Sequence, residues 1–121
     1  YADALLMLAE CYNEAGGGDP VALLQQVRTR ALTNPALSPA ESANLSQTIA
    51  DERRRELAFE NHRWFDLVRT GKAVAVMTAH GIQQKAQKTT VPAQAYTNIR
   101  TLLAIPQGQL EEFGFKQTPG W

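Results

Sequence analysis

The stretch Ile49–Gly71, I-A-D-E-R-R-R-E-L-A-F-E-N-H-R-W-F-D-L-V-R-T-G, decides how this chain is read. It carries no proline, and its one glycine is its last residue. It therefore predicts a helix through about Glu60, a break near Asn61 and a second helix closed by Gly71. On the first helix Ile49, Ala50, Leu57 and Ala58 share a face, yet the turn between them carries Arg53 and Arg54. At least one guanidinium must then lie along apolar surface, where an unpaired charge is strongly destabilising and a carboxylate has to be close. Glu56 and Glu60, one turn apart, repel each other unless a cation such as Arg53 or Arg63 stands between them. The expectation is a structural charge network of Arg53, Glu56, Glu60, Arg63 and Asp66 that fixes the bend between two helices.

Upstream, Tyr1 to Ala15 places Leu5, Leu8, Ala9 and Tyr12 on one helical stripe, ended by Gly16, Gly17 and Gly18. Asp19 then offers an N-cap with Pro20 at the first helical position, and Leu23, Leu24, Val27 and Ala31 give the next helix its buried face. Arg28 and Arg30 on that helix are expected to be solvated or paired with the acids of the central helix. Ser38-Pro39-Ala40-Glu41 has the form of a capping box, and the central helix follows from about Leu45. Downstream, Trp64, Phe65, Leu67 and Val68 form the bulkiest apolar cluster. A short helix over Lys72 to His80 is expected to stop at Gly81, with an exposed loop over residues 82–98. The tail, punctuated by Pro106, Gly108, Gly114, Pro119 and Gly120, reads as an extended, turn-rich strap. Its Leu102, Leu103, Ile105, Leu110, Phe113, Phe115 and Trp121 are expected to lie across the helices.

The chain is long enough for one core, and its 12 basic and 12 acidic residues cancel to a formal net charge of zero. No global field draws in nucleic acid or an anionic membrane. The Arg53–Arg55 run beside Trp64 and Phe65 is matched by Asp51, Glu52, Glu56, Glu60 and Asp66, which argues against a nucleic-acid patch. The row Glu52, Glu56, Glu60 with His62 matches no metal-ligand spacing, and interleaved arginines compete for the same oxygens, so no metal, cofactor or catalytic site is expected. The single cysteine, Cys11, has no partner for a disulfide within the chain. Among aromatics, Tyr96, beside Asn98 in the polar loop, is the one candidate for an exposed platform on which a sugar could stack.

Three stretches carry a family resemblance. The run E-R-R-R-E-L-A-F-E-N-H-R-W-F-D-L-V-R-T-G-K-A resembles a signature of the SusD/RagB family, surface glycan-binding lipoproteins of Bacteroidetes-type bacteria. The opening Y-A-D-A-L-L-M-L-A-E-C-Y-N-E-A-G and the closing L-L-A-I-P-Q-G-Q-L with F-K-Q-T-P-G-W are similar to further parts of that family, in the same order. Asn61 stands where the family usually has Gly, Ala104 where it often has Pro, Gln109 where an acid is common and Thr118 where Asn is common. None of these removes a charged member of the central run.

The resemblance implies that residues 1–121 are the C-terminal helical region of a longer protein. The implied fold is all-α, with tetratricopeptide-like helix hairpins and an irregular, extended C-terminal strap. It further implies a non-enzymatic receptor on the cell outer membrane, held there by an upstream lipid anchor. Such a receptor delivers oligosaccharide or another nutrient to a TonB-dependent outer-membrane transporter, and this stretch is its scaffold. Two other readings of the residues stay open: a tetratricopeptide-like protein–protein interaction module with a peptide-binding groove, and an enzyme domain built on the Glu/His row.

Overall fold

The structure, a computed structural model, describes residues 1–121 and is all helical, as the patterning predicts. In order the helices are α1 (Ala2–Ala15), α2 (Pro20–Thr29), α3 (Pro39–Ala43), α4 (Leu45–Glu56), α5 (His62–Arg69), α6 (Ala73–Gln87) and α7 (Gln107–Phe113). The chain divides into two compact units, Tyr1–Arg63 and Trp64–Trp121.

In the first unit α1 packs against α2 and α4, and α3 against α4. Local chemistry sets the helix starts. The Asp19 carboxylate accepts from the Val21 and Ala22 amides at 2.9 and 3.1 Å, with Pro20 at the first helical position. Ser38 and Glu41 form the expected capping box on α3, and the Asn44 side chain accepts from the Gln47 amide on α4. The α1–α2 turn is made by Gly16 and Gly17, whose φ of 77° and 99° few other residues adopt. Leu6, Ala9, Leu24, Val27 and Ile49 form the core, with Leu5, Leu23, Leu37 and Leu45 packed around it. Leu6, Leu24 and Ile49 are completely enclosed, each worth about 1.5–3 kcal/mol of burial. Two expected core members lie outside: Leu8 and Ala31 are exposed, because α1 turns Leu6 and Ala9 inward and α2 has ended before residue 31.

The central helix is shorter than its composition suggests. α4 ends at Glu56, and residues 57–61 form a turn in which Phe59 and Asn61 take positive φ, 68° and 62°. Those two residues break the helical hydrogen-bond ladder; the Glu60 amide reaches back only to the Leu57 carbonyl, at 3.1 Å. Glu60 is therefore off the helix, and the expected one-turn relation to Glu56 does not form.

In the second unit Leu67 and Ala73 are buried. Phe65 is 70% exposed and Trp64 also lies partly in water, contrary to the expected apolar cluster. Phe65 and Leu67 are two residues apart on a helix, which points them to opposite faces, and it is the Leu67 face that is covered. Gly71, at φ 69°, closes the stretch after α5 as expected.

Helix α6 does not stop at Gly81 but runs through it to Gln87. Gly81 is buried against Tyr96, and a β-carbon there would overlap the Tyr96 side chain. The glycine is a packing residue: it costs about 1 kcal/mol inside a helix, and a larger residue would leave no room for Tyr96.

The tail also departs from a wholly extended strap, since Gln107–Phe113 forms α7, ended by Gly114 at φ 66°. Beyond it the chain folds back on itself. The Gln117 side chain accepts from the Ile105 amide at 2.9 Å and donates to the Ile105 carbonyl at 3.1 Å, taking the place of a neighbouring strand. The Trp121 indole N–H donates to the Leu102 carbonyl at 3.0 Å, and the Arg100 guanidinium sits 4.0 Å above its ring. Leu102, Leu103, Phe113, Phe115 and Trp121, expected to be covered, are exposed, Leu103 to 83%.

Candidate functional site

Two acids of the first unit, Glu41 and Glu52, converge on Arg28, in the last turn of α2 and only 5% exposed. Its Nε donates to Glu52 Oε2 on α4 at 2.8 Å, and Nη2 donates to Glu41 Oε1 on α3 at 2.7 Å. The planar fork lets one guanidinium serve two carboxylates in different directions, which an ammonium does less well. Burial works against the charged guanidinium, but the hydrogen bonds to Glu41 and Glu52 outweigh it, and the pKa of Arg28 is raised. Glu41 is held at about 2, well below its ordinary 4.5, first by the Arg28 hydrogen bond and then by the Ser38 amide and hydroxyl. Thr48 completes the joint by donating its hydroxyl to the Glu41 carbonyl at 2.9 Å.

Two more arginines tie α4 to its neighbours. Arg53, also 5% exposed, places Nη1 2.8 Å from Asp3 Oδ1 on α1. Arg30 donates from Nη2 to both oxygens of Glu56, at 2.9 and 2.7 Å, on a more exposed edge. Arg55 shares Glu52 Oε2 with Arg28, donating at 2.8 Å. Each of α1, α2 and α3 is thus bound to α4 through a polar side chain.

Of the residues expected to form a charge network, Arg53 meets Asp3, Glu56 meets Arg30, and Asp66 meets Arg69 one turn along α5, at 2.9 Å. Arg63 is half-buried and Glu60 is exposed. Arg28 and Arg30 pair with acids of the central helix, one of the two outcomes expected for them, whereas the part of Glu41 in joining Arg28 and Glu52 was not expected. The signal available was the acidic end of the capping box at Glu41, which is free to do a second job. Tyr96 is half-buried: its β-carbon rests on Gly81 and its ring meets His80 edge-on at 5.7 Å between centroids. Asn98, two residues on, is exposed.

The model of the SusD family matches residues 1–121. The chain belongs to the SusD family. Curated relatives from Formosa agariphila include SusD-like protein P38, 41% identical over 86 residues, a match covering 64% of this chain and 17% of that protein. SusD-like protein P25 is 40% identical over 74 residues, 58% of this chain and 14% of the relative. SusD-like protein P2 is 34% identical over 92 residues, 69% and 18% respectively. The chain thus spans less than a fifth of the length of the SusD-like relatives it matches. No solved structure matches it.

The departure at Asn61 has a structural account in this SusD-family chain. Its φ of 62° belongs to the left-handed region, where Gly is at ease and Asn is among the best-tolerated alternatives.

Proposed function

We propose that this chain is the C-terminal scaffold of a SusD-like glycan- or nutrient-binding lipoprotein of the outer-membrane surface. In this reading the whole protein is not an enzyme. It captures oligosaccharide and hands it to a TonB-dependent outer-membrane transporter, while this stretch holds the helical frame. The observation that carries it is the SusD family match over residues 1–121. The geometry supports a scaffold role, because two acids of the central helix are engaged by arginines: Glu52 by Arg28 and Arg55, Glu56 by Arg30. No helix is long and apolar enough to cross a membrane, which fits attachment by a lipid rather than by a helix of this stretch. Within the chain, Tyr96 and Asn98 are the residues proposed for direct sugar contact.

The test uses the full-length protein on a glycan array and in affinity purification from outer membranes. Retention of an oligosaccharide class and co-purification of a TonB-dependent transporter are expected. A protein that retains no glycan and brings down no transporter removes the reading. Unchanged glycan retention in Asn98→Ala and Tyr96→Leu variants would leave the receptor role intact and take these two residues out of the site.

A further inference from the structure

Helix α1 has two apolar faces. One, through Ala2, Leu5, Leu6 and Ala9, belongs to the core of the first unit. The other runs through Ala4, Met7, Leu8, Cys11 and Ala15, whose spacing of three, one, three and four is a continuous stripe on a 3.6-residue helix. Every member of this second stripe is exposed, Met7 to 47% and Leu8 to 39%. It contains no charged side chain; Glu10 and Glu14 run along one border only. A helix on the outside of a globular protein turns polar residues to water, whereas one that is apolar on both faces is a buried helix.

The stripe is about 16 Å long from the helical rise between Ala4 and Ala15, and no wider than a helix, about 10 Å. That falls far short of the roughly 800 Å² per partner that a stable dimer uses, so a second copy of the chain does not account for it. Small residues at both ends and two larger ones in the middle suit the ridge of another helix laid along α1. The SusD-like relatives are more than five times the length matched here, so most of such a polypeptide is available to supply that helix. Consecutive elements usually pack side by side, which favours the segment leading into α1. We propose that the outward stripe of α1 seats an amphipathic helix from the part of the longer polypeptide that precedes Tyr1. The inference rests on the reading of this chain as the C-terminal region of a longer SusD-family protein.

Cys11 lies on the stripe and reports on it directly. In the full-length protein, alkylation of Cys11 by a maleimide, followed by peptide mass spectrometry, is expected to be at least about tenfold slower than in urea-unfolded protein, as for a site that must open to react. Met7→Glu is expected to restore fast labelling and lower the thermal midpoint by several degrees. Cys11 reacting at the unfolded rate in a monomer, with Met7→Glu silent, overturns the inference while leaving the receptor reading in place. Protection seen only in a dimer by light scattering also overturns it. A native product no larger than the 13.3 kDa of this chain overturns the longer-protein reading and the inference with it.

Discussion

Arg28 and Glu52, 24 residues apart, meet at 2.8 Å with barely any solvent access to either side chain. A second acid, Glu41, completes the pairing from α3, so a single guanidinium joins three helices. A buried ion pair adds little net stability over a well-packed apolar pair, yet breaking one by removing a single partner is severe. The value of the arrangement is therefore in specifying how α2, α3 and α4 meet.

Arg28→Ala is expected to lower the unfolding free energy by about 3 kcal/mol, since it removes the buried cation that Glu41 and Glu52 share. Arg28→Lys should recover only part of that, because one ammonium lacks the fork. Chemical denaturation of the three proteins checks this, and a lysine variant as stable as wild type would mean that charge alone is needed.

Glu41 gives the fold an acid limit. Its folded pKa of about 2 lies below the ordinary 4.5, so between those values the unfolded chain binds a proton that the folded chain does not. Its contribution to stability is complete above pH 4.5 and is lost as pH falls through about 2. Glu41→Gln should flatten the stability-versus-pH curve within that window, as read from denaturation midpoints at stepped pH.

Arg53 and Glu60, both expected from the sequence to be brace residues, should behave differently. Arg53→Ala removes a buried cation from Asp3 and is expected to cost about 3 kcal/mol. Glu60→Ala, on an exposed turn, should stay within about 0.5 kcal/mol of wild type. Equal losses from the two would show that Glu60 carries a structural partner.

Gly81→Ala should destabilise the second unit by about 1–3 kcal/mol, although alanine is the better helix former. The collision is with the Tyr96 β-carbon itself, so Tyr96→Ala cannot relieve it. Tyr96→Gly can, and it also suits the φ of 61° at that position. Thermal melts of the single and double variants distinguish the two cases.

What was legible in the sequence is what local chemistry decides. Asp19-Pro20 and Ser38 with Glu41 announce helix starts because the capping groups lie within three residues of the amides they satisfy. The family was legible for a similar reason, since its signature is a contiguous run. For Arg28 the sequence offered solvation or pairing with the acids of the central helix, and Glu52 is such an acid. The choice between the two and the second partner, Glu41, were not legible, because these partners are 24 and 13 residues away. Gly81 read as a stop signal, since only the fold reveals that Tyr96 occupies the space a side chain would need. The positive φ at Phe59 has no cue at all in a bulky aromatic.

The closing segment is held by side-chain amide chemistry where a sheet would use main chain. Were Gln117 deamidated to glutamate, its acceptor toward the Ile105 amide would survive while its donor became a second acceptor facing the Ile105 carbonyl. A slow chemical ageing reaction at one position thus has a route to loosen the closing segment at Ile105 while leaving every helix intact.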